Sequence, residues 1–237
     1  QRILRGAGTS PSSLKLLHRP GENQPMATEQ MLYLLLEMIP QEGLRGPRRR
    51  LNLALVIDRS TSMQGARMHN VKLAAADLVE SLQADDRLAL ITFSDRAEVV
   101  AKPQLAHQKR TLRSAIASIV PGGGTEIYQG LEAGIEAVSP NASPDAISHV
   151  ILLTDGRTYG DEELALAAAA RAESRGIGIS AFGIGEDWND IFLDTLAQRG
   201  GGTSQYIDTP SKVQTILRSQ IKGLSNTVLR GARIRLG

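Results

Sequence analysis

The chain has 237 residues, and its 27 Lys and Arg against 25 Asp and Glu leave a formal charge of +2, which speaks against indiscriminate nucleic-acid binding. At 41% hydrophobic and 22% charged residues the composition is that of a globular protein, one large domain or one domain with a small appendage, and it excludes disorder along most of the chain. With no cysteine, disulfides, thiolate metal sites, Fe–S clusters and cysteine nucleophiles drop out.

Residues 1–50 differ in character from the rest, with Pro11, Pro20, Pro25, Pro40 and Pro47 spread among two short apolar runs. They read as a β-rich flanking segment, with strands at 13–17 and 31–38 separated by a turn-forming loop at 19–29. The basic cluster Arg45, Arg48, Arg49 and Arg50 has no aromatic residue interleaved to stack on bases, so it reads as a solvated loop. The apolar stretches 31–36 and 165–170 fall far short of the roughly 20 residues of a transmembrane helix. No membrane span is expected, and with no signal-peptide pattern the cytoplasm is slightly favoured.

From 51 to 224 short apolar runs alternate with helical periodicity. Central strands are expected at 51–57, 88–93, 150–154 and 177–184, a short edge strand at 205–207, and an antiparallel hairpin partner at 97–102 after the Ser94-Asp95-Arg96 turn. Helices are expected at 68–83, 108–119, 127–138, 161–175, 189–198 and 211–224. The first carries Val71, Ala75, Leu78, Val79 and Leu82 as one apolar stripe, which is core. This pattern is that of an α/β fold, a doubly wound, mostly parallel central sheet with helices on both faces. The last segment, 225–237, alternates well enough at 227–236 to suggest a strand joining the N-terminal strands in a small flanking β layer.

In a doubly wound sheet, ligands bind outside the carboxyl ends of the strands. After the run Leu53 to Ile57 comes Asp58-Arg59-Ser60-Thr61-Ser62-Met63, and in extended or turning backbone Asp58, Ser60 and Ser62 point the same way. After Ile151 to Thr154 comes Asp155-Gly156, a second carboxylate at a strand end. Between them Gly122-Gly123-Gly124-Thr125 leads into a helix and presents a third hydroxyl. Five hard oxygen donors from three loops describe a site for Mg²⁺ or a similar cation such as Mn²⁺ or Ca²⁺.

These residues, Asp58-x-Ser60-x-Ser62, Thr125 in its glycine loop and Asp155-Gly156, resemble the metal-ion-dependent adhesion site of the von Willebrand factor type A family. All five motif positions hold the expected residue, and the resemblance runs from about Leu51 to Gly223, including Gly183-Ile184-Gly185 and Gly200-Gly201-Gly202. The flanking β segments are similar in style to those of bacterial members and of inter-alpha-trypsin-inhibitor heavy chains. The resemblance implies a binding module in which Ser60, Ser62 and Thr125 coordinate the metal directly while Asp58 and Asp155 act through bridging waters. An Asp or Glu of a protein partner would complete the coordination. Arg59, inside the first loop, either supports that acid or points to solvent.

The rival reading is a metal-dependent enzyme handling phosphate esters or nucleotides, because a glycine loop opening a helix offers N–H groups to an anion. Against it, no Lys follows the glycines as in a Walker loop, and Gly183-x-Gly185 is not continued to Gly-x-x-Gly. A Gly-x-Ser-x-Gly elbow is missing as well. His18, His69, His107 and His149 lack zinc spacing and read as surface or cap residues. A non-enzymatic binding module is expected.

Overall fold

The computed structural model describes residues 48–155, 160–185 and 190–225 and three short strands nearer the N terminus. The chain forms two compact units, Gln1–Pro47 and Arg48–Gly237. In the first, β1 (Ile3–Leu4), β2 (Ser12–Lys15) and β3 (Glu37–Pro40) form an antiparallel sheet in that order, with Ser13 opposite Ile39. The expected strand at 31–38 overlaps β3 only at its end. The rest of it, the loop at 19–29 and the segment 227–236 lie outside the described residues.

The second unit holds the six-stranded sheet. Its strands are β4 (Arg50–Asp58), β5 (Arg87–Phe93), β6 (Ala97–Leu105), β7 (Ala146–Thr154), β8 (Gly178–Ile184) and β9 (Gly201–Ile207). They lie in the order β6-β5-β4-β7-β8-β9, and every pairing is parallel except the β5–β6 hairpin. Strands that are apolar on both faces need cover on both faces, and six helices supply it: α1 (Ala66–Ser81), α2 (Lys109–Ala117), α3 (Ile127–Val138), α4 (Glu162–Ser174), α5 (Asp190–Arg199) and α6 (Val213–Ser225). Leu51, Leu53, Leu55 and Ile57 of β4 pack with α1, α2 and α6. Ala54 and Val56, on the other face, pack with α3, α4 and α5. The strand reversal between β4's two parallel neighbours, β5 and β7, puts the carboxyl end of β4 at the centre of one rim, the position where such sheets bind ligands. No helix of the described residues is long and apolar enough to cross a membrane.

Two local expectations are corrected. Strand β9 starts at Gly201 rather than 205, because it runs so close to β8 that a Cβ on Gly202 would lie 2.0 Å from the Ile179 carbonyl oxygen. Glycine there marks a close approach of two backbones rather than a turn. His149 is neither surface nor cap. It is buried in β7, with Nε2 2.9 Å from the Ser180 hydroxyl of β8. Arg48 lies in an exposed stretch ahead of β4, as expected of a solvated loop, but it is anchored there. Its guanidinium pairs with the fully buried carboxylate of Asp86 and, at 3.3 Å, with Asp85. Asp86 also accepts the N–H groups of Leu51 and Gln83, each at 2.8 Å, so one carboxylate gathers the start of β4 and the end of the α1 loop.

Candidate metal centre

Asp58 is the last residue of β4 and has no exposed surface. Its Oδ1 accepts the Ser60 N–H at 2.7 Å, and its Oδ2 accepts the Thr154 hydroxyl at 2.6 Å. The first bond turns the chain sharply out of the strand, in the manner of an Asx turn. The second joins the ends of adjacent strands. Ser60 Oγ then lies 3.0 Å from Ser62 Oγ, so Asp58, Ser60 and Ser62 form one chain of oxygens. Beyond them the loop makes a single 3-10 turn, Thr61–Met63, and the Met63 side chain is fully buried and pins it to the core.

The glycine loop is fastened to this first loop through backbone. Gly122 N–H donates to the Arg59 carbonyl at 2.6 Å, and Thr61 donates to the Gly123 carbonyl from both its N–H and its hydroxyl at 3.1 Å. Gly123 has φ +91°, and a Cβ on it would meet the Asp95 carboxylate at 2.6 Å, so this close turn requires glycine. Asp95 props the loop by accepting the Gly124 N–H at 2.9 Å, and Ser94 accepts the Glu126 N–H at 2.8 Å. Thr125, between those two donors, is buried. The first turn of α3 is held by the buried Asp161, which accepts the Tyr128 N–H at 2.7 Å. The loop amides of Gly122, Gly124 and Glu126 are thereby committed to protein oxygens. With these three amides taken, the glycine loop lends the phosphate-binding alternative no support.

Asp155 follows β7 directly and is buried. Its Oδ2 lies 3.4 Å from Nη1 of Arg67, which also donates to the Ser62 carbonyl at 3.0 Å. The same guanidinium rests on Gly185 at the end of β8, where a Cβ would stand 2.6 Å from Nη2. Asp155 Oδ1 is buried and has no hydrogen-bond partner. Burial, above all, lifts the Asp58 pKa from its ordinary value to about 6, and the Asp155 charge pushes in the same direction against the hydrogen bonds from Ser60 and Thr154. Two buried carboxylates, one with an orphaned oxygen, and neighbouring hydroxyls are a donor set that suits a hard cation.

Sequence reasoning overlooked Arg67, Thr154 and Asp95. Arg67 had a usable signal: a cation in the first turn of a helix sits at the positive end of the dipole and needs an acidic neighbour to justify it. Arg59, left open between partner and solvent, is partly buried and donates to the Gly122 carbonyl at 3.3 Å.

A doubly wound α/β sheet with an oxygen-lined loop cluster at the carboxyl end of its central strands defines a Rossmann-like domain with a candidate cation centre. A family model for the von Willebrand factor type A domain matches residues 52–219, and the chain belongs to that family. Protein sll0103 of Synechocystis sp. is 35% identical over 187 residues, covering 78% of this chain and 44% of that protein. Among solved structures, the von Willebrand factor type A protein from Catenulispora acidiphila aligns with a TM-score of 0.63 at 27% identity over 73% of this chain and 42% of that one. Proximal thread matrix protein 1 from the mussel byssus, solved with a zinc-occupied adhesion-site motif, shares the fold at a TM-score of 0.64 and 22% identity, over 73% and 48% of the two chains. This chain thus spans less than half the length of each of these relatives. Domains of this family generally mediate metal-dependent protein interactions and bind a divalent metal at the adhesion site.

Proposed function

We propose that this chain is a metal-dependent protein-binding module, with Asp58, Ser60, Ser62, Thr125 and Asp155 holding Mg²⁺ or Mn²⁺ and an Asp or Glu of the partner completing the site. The observation that carries the reading is the buried, unpartnered Oδ1 of Asp155 beside the bonded chain of Asp58, Ser60 and Ser62. A buried carboxylate oxygen with no donor is costly unless something positive meets it. The bound cation would supply the charge that draws the partner's carboxylate. The chain's own residues fix the loops through the Arg59–Gly122 and Thr61–Gly123 bonds, and they exclude water from Asp58. Hydroxyl ligands leave the ion more attractive to an incoming anion than a shell of carboxylates does. The zinc in the mussel protein's motif supports the use of this loop cluster for a divalent ion.

Calorimetric titration with Mn²⁺ and Mg²⁺ tests the reading. One ion is expected per chain, with binding abolished in Asp58→Ala; unchanged binding in that variant rules out the assignment. The second half is tested by comparing partner capture in Mg²⁺ and in EDTA, then replacing the captured partner's interface Asp or Glu by the matching amide. The amide is expected to cost as much as removing the ion, since it brings no full charge to the cation.

A further inference from the structure

Two of the three buried polar side-chain atoms that lack a hydrogen-bond partner among the described residues are Arg59 Nε and Thr92 Oγ1. Both residues line the same cavity of about 200 Å³, together with Glu98, Val100, Ser118, Ile119 and Val120. Thr92 is only 1% exposed. It points from β5 toward the layer of α1, α2 and α6, as the alternation of its neighbours Leu90 and Ile91 between the two cores requires. Arg59 belongs to the loop between Asp58 and Ser60, so the cavity adjoins the candidate metal centre. Its rim carries Val120, an apolar side chain left 70% exposed.

We propose that this cavity is a second pocket of the same binding face and takes an uncharged carboxamide, the side chain of an Asn or Gln near the partner's acidic anchor. The proposal rests on the metal-dependent reading for that anchor, while the pocket's own chemistry stands on other residues. Arg59 Nε can only donate, the exposed Glu98 carboxylate can only accept, and the Thr92 hydroxyl can do either. A carboxylate guest would satisfy Arg59 and face Glu98; an ammonium guest would satisfy Glu98 and face Arg59. A carboxamide has an acceptor for one end and donors for the other, and its stem fits the apolar wall of Val100, Ile119 and Val120. The movable wall is Arg59, whose outer bond to Gly122 is long at 3.3 Å, so its side chain can shift to bring Nε onto the guest.

The test uses the full chain without metal and four probes of matched size: propionamide, propionate, propylammonium and 1-propanol. The Arg59 Nε–H resonance and the Thr92 methyl are followed by NMR. Propionamide is expected to give a saturable shift at both, with the other three at least about tenfold weaker, the scale of one lost buried hydrogen bond. Thr92→Val keeps the shape and removes the hydroxyl. It is expected to weaken propionamide about tenfold without lowering the melting temperature, because that hydroxyl has no partner to lose. Glu98→Gln is expected to bring propionate to parity with propionamide. A cavity holding solvent only, with no saturable shift, overturns the proposal. So does equal binding of propionate or 1-propanol to the wild type, or an unchanged response in Thr92→Val. Mn²⁺ calorimetry on the same samples separates the two readings: Asp58→Ala is expected to lose metal and keep propionamide, and Thr92→Val the reverse.

Discussion

Asp58 carries a cost when it is ionised, and either a proton or a bound cation would offset it. Its carboxylate has no exposed surface and shares the site with Asp155, and an ionised group so placed loses hydration that two hydrogen bonds do not fully replace. Asp58→Asn keeps the shape, and the Thr154 hydroxyl can turn to accept from the new amide. At pH 7.5 the metal-free variant is therefore expected to be more stable than wild type by about 1–2 kcal/mol, while Mn²⁺ binding is lost. Denaturant unfolding in EDTA checks the first part, and a metal-free variant less stable than wild type would refute it. Thr125→Ala is the complementary case. It removes one hydroxyl without touching a charge, so it is expected to weaken partner capture more than it lowers the unfolding free energy.

At the scale of elements, the helix that follows the glycine loop is seated by small residues. A Cβ on Gly134 of α3 would stand 2.6 Å from Val56 and 3.1 Å from Val150, both fully buried. Gly134→Ala gains roughly 1 kcal/mol of helix propensity and loses about 1–3 kcal/mol to overpacking. A net fall in melting temperature is expected, along with weaker metal binding, because α3 starts two residues after Thr125. On the opposite layer Arg218 of α6 grips Asp77 of α1 through two short bonds, and this pairing holds the Asp77 pKa below its ordinary 3.8. A depressed carboxylate stabilises the fold above its unfolded value and stops doing so as pH falls through the folded one. Arg218→Gln is thus expected to lower stability at neutral pH, with the gap to wild type closing once the pH drops well below 3.8. A gap that is constant with pH would point to lost packing instead.

What could be read in advance follows the same division. Continuous apolar runs such as Leu53 to Ile57 mark strands buried on both faces wherever the chain is met, and the sheet and the six helices were legible for that reason. Gly201 and Gly202 were not, because a glycine run looks alike whether it turns a chain or lets two strands touch. The candidate oxygen donors Asp58, Ser60, Ser62, Thr125 and Asp155 stood out because they cluster just past apolar strand runs or just ahead of a helix. Asp95 and Arg59 were not legible in their supporting roles, and Arg67 signalled only that it needed an acid, not which one. Their work depends on which loops the sheet order makes neighbours, and that order is not written in any one segment.

For the whole molecule, stability resides in the two apolar layers, and the site loops are tied by backbone bonds that need no metal. Removing metal with EDTA is expected to lower the melting temperature by only a few degrees, in line with a binding contribution of roughly 1–3 kcal/mol at modest metal excess. Complete unfolding on chelation would contradict this.

The clasp of Arg48 on Asp86 has a mechanical consequence. It secures the chain where it enters β4, the strand that ends in Asp58 and is paired along nearly its whole length with β5 on one side and β7 on the other. A pull along β4 through the preceding residues meets that clasp first. It must then slide the strand past both neighbours at once, so the load is shared across the ladder instead of peeling it open one bond at a time.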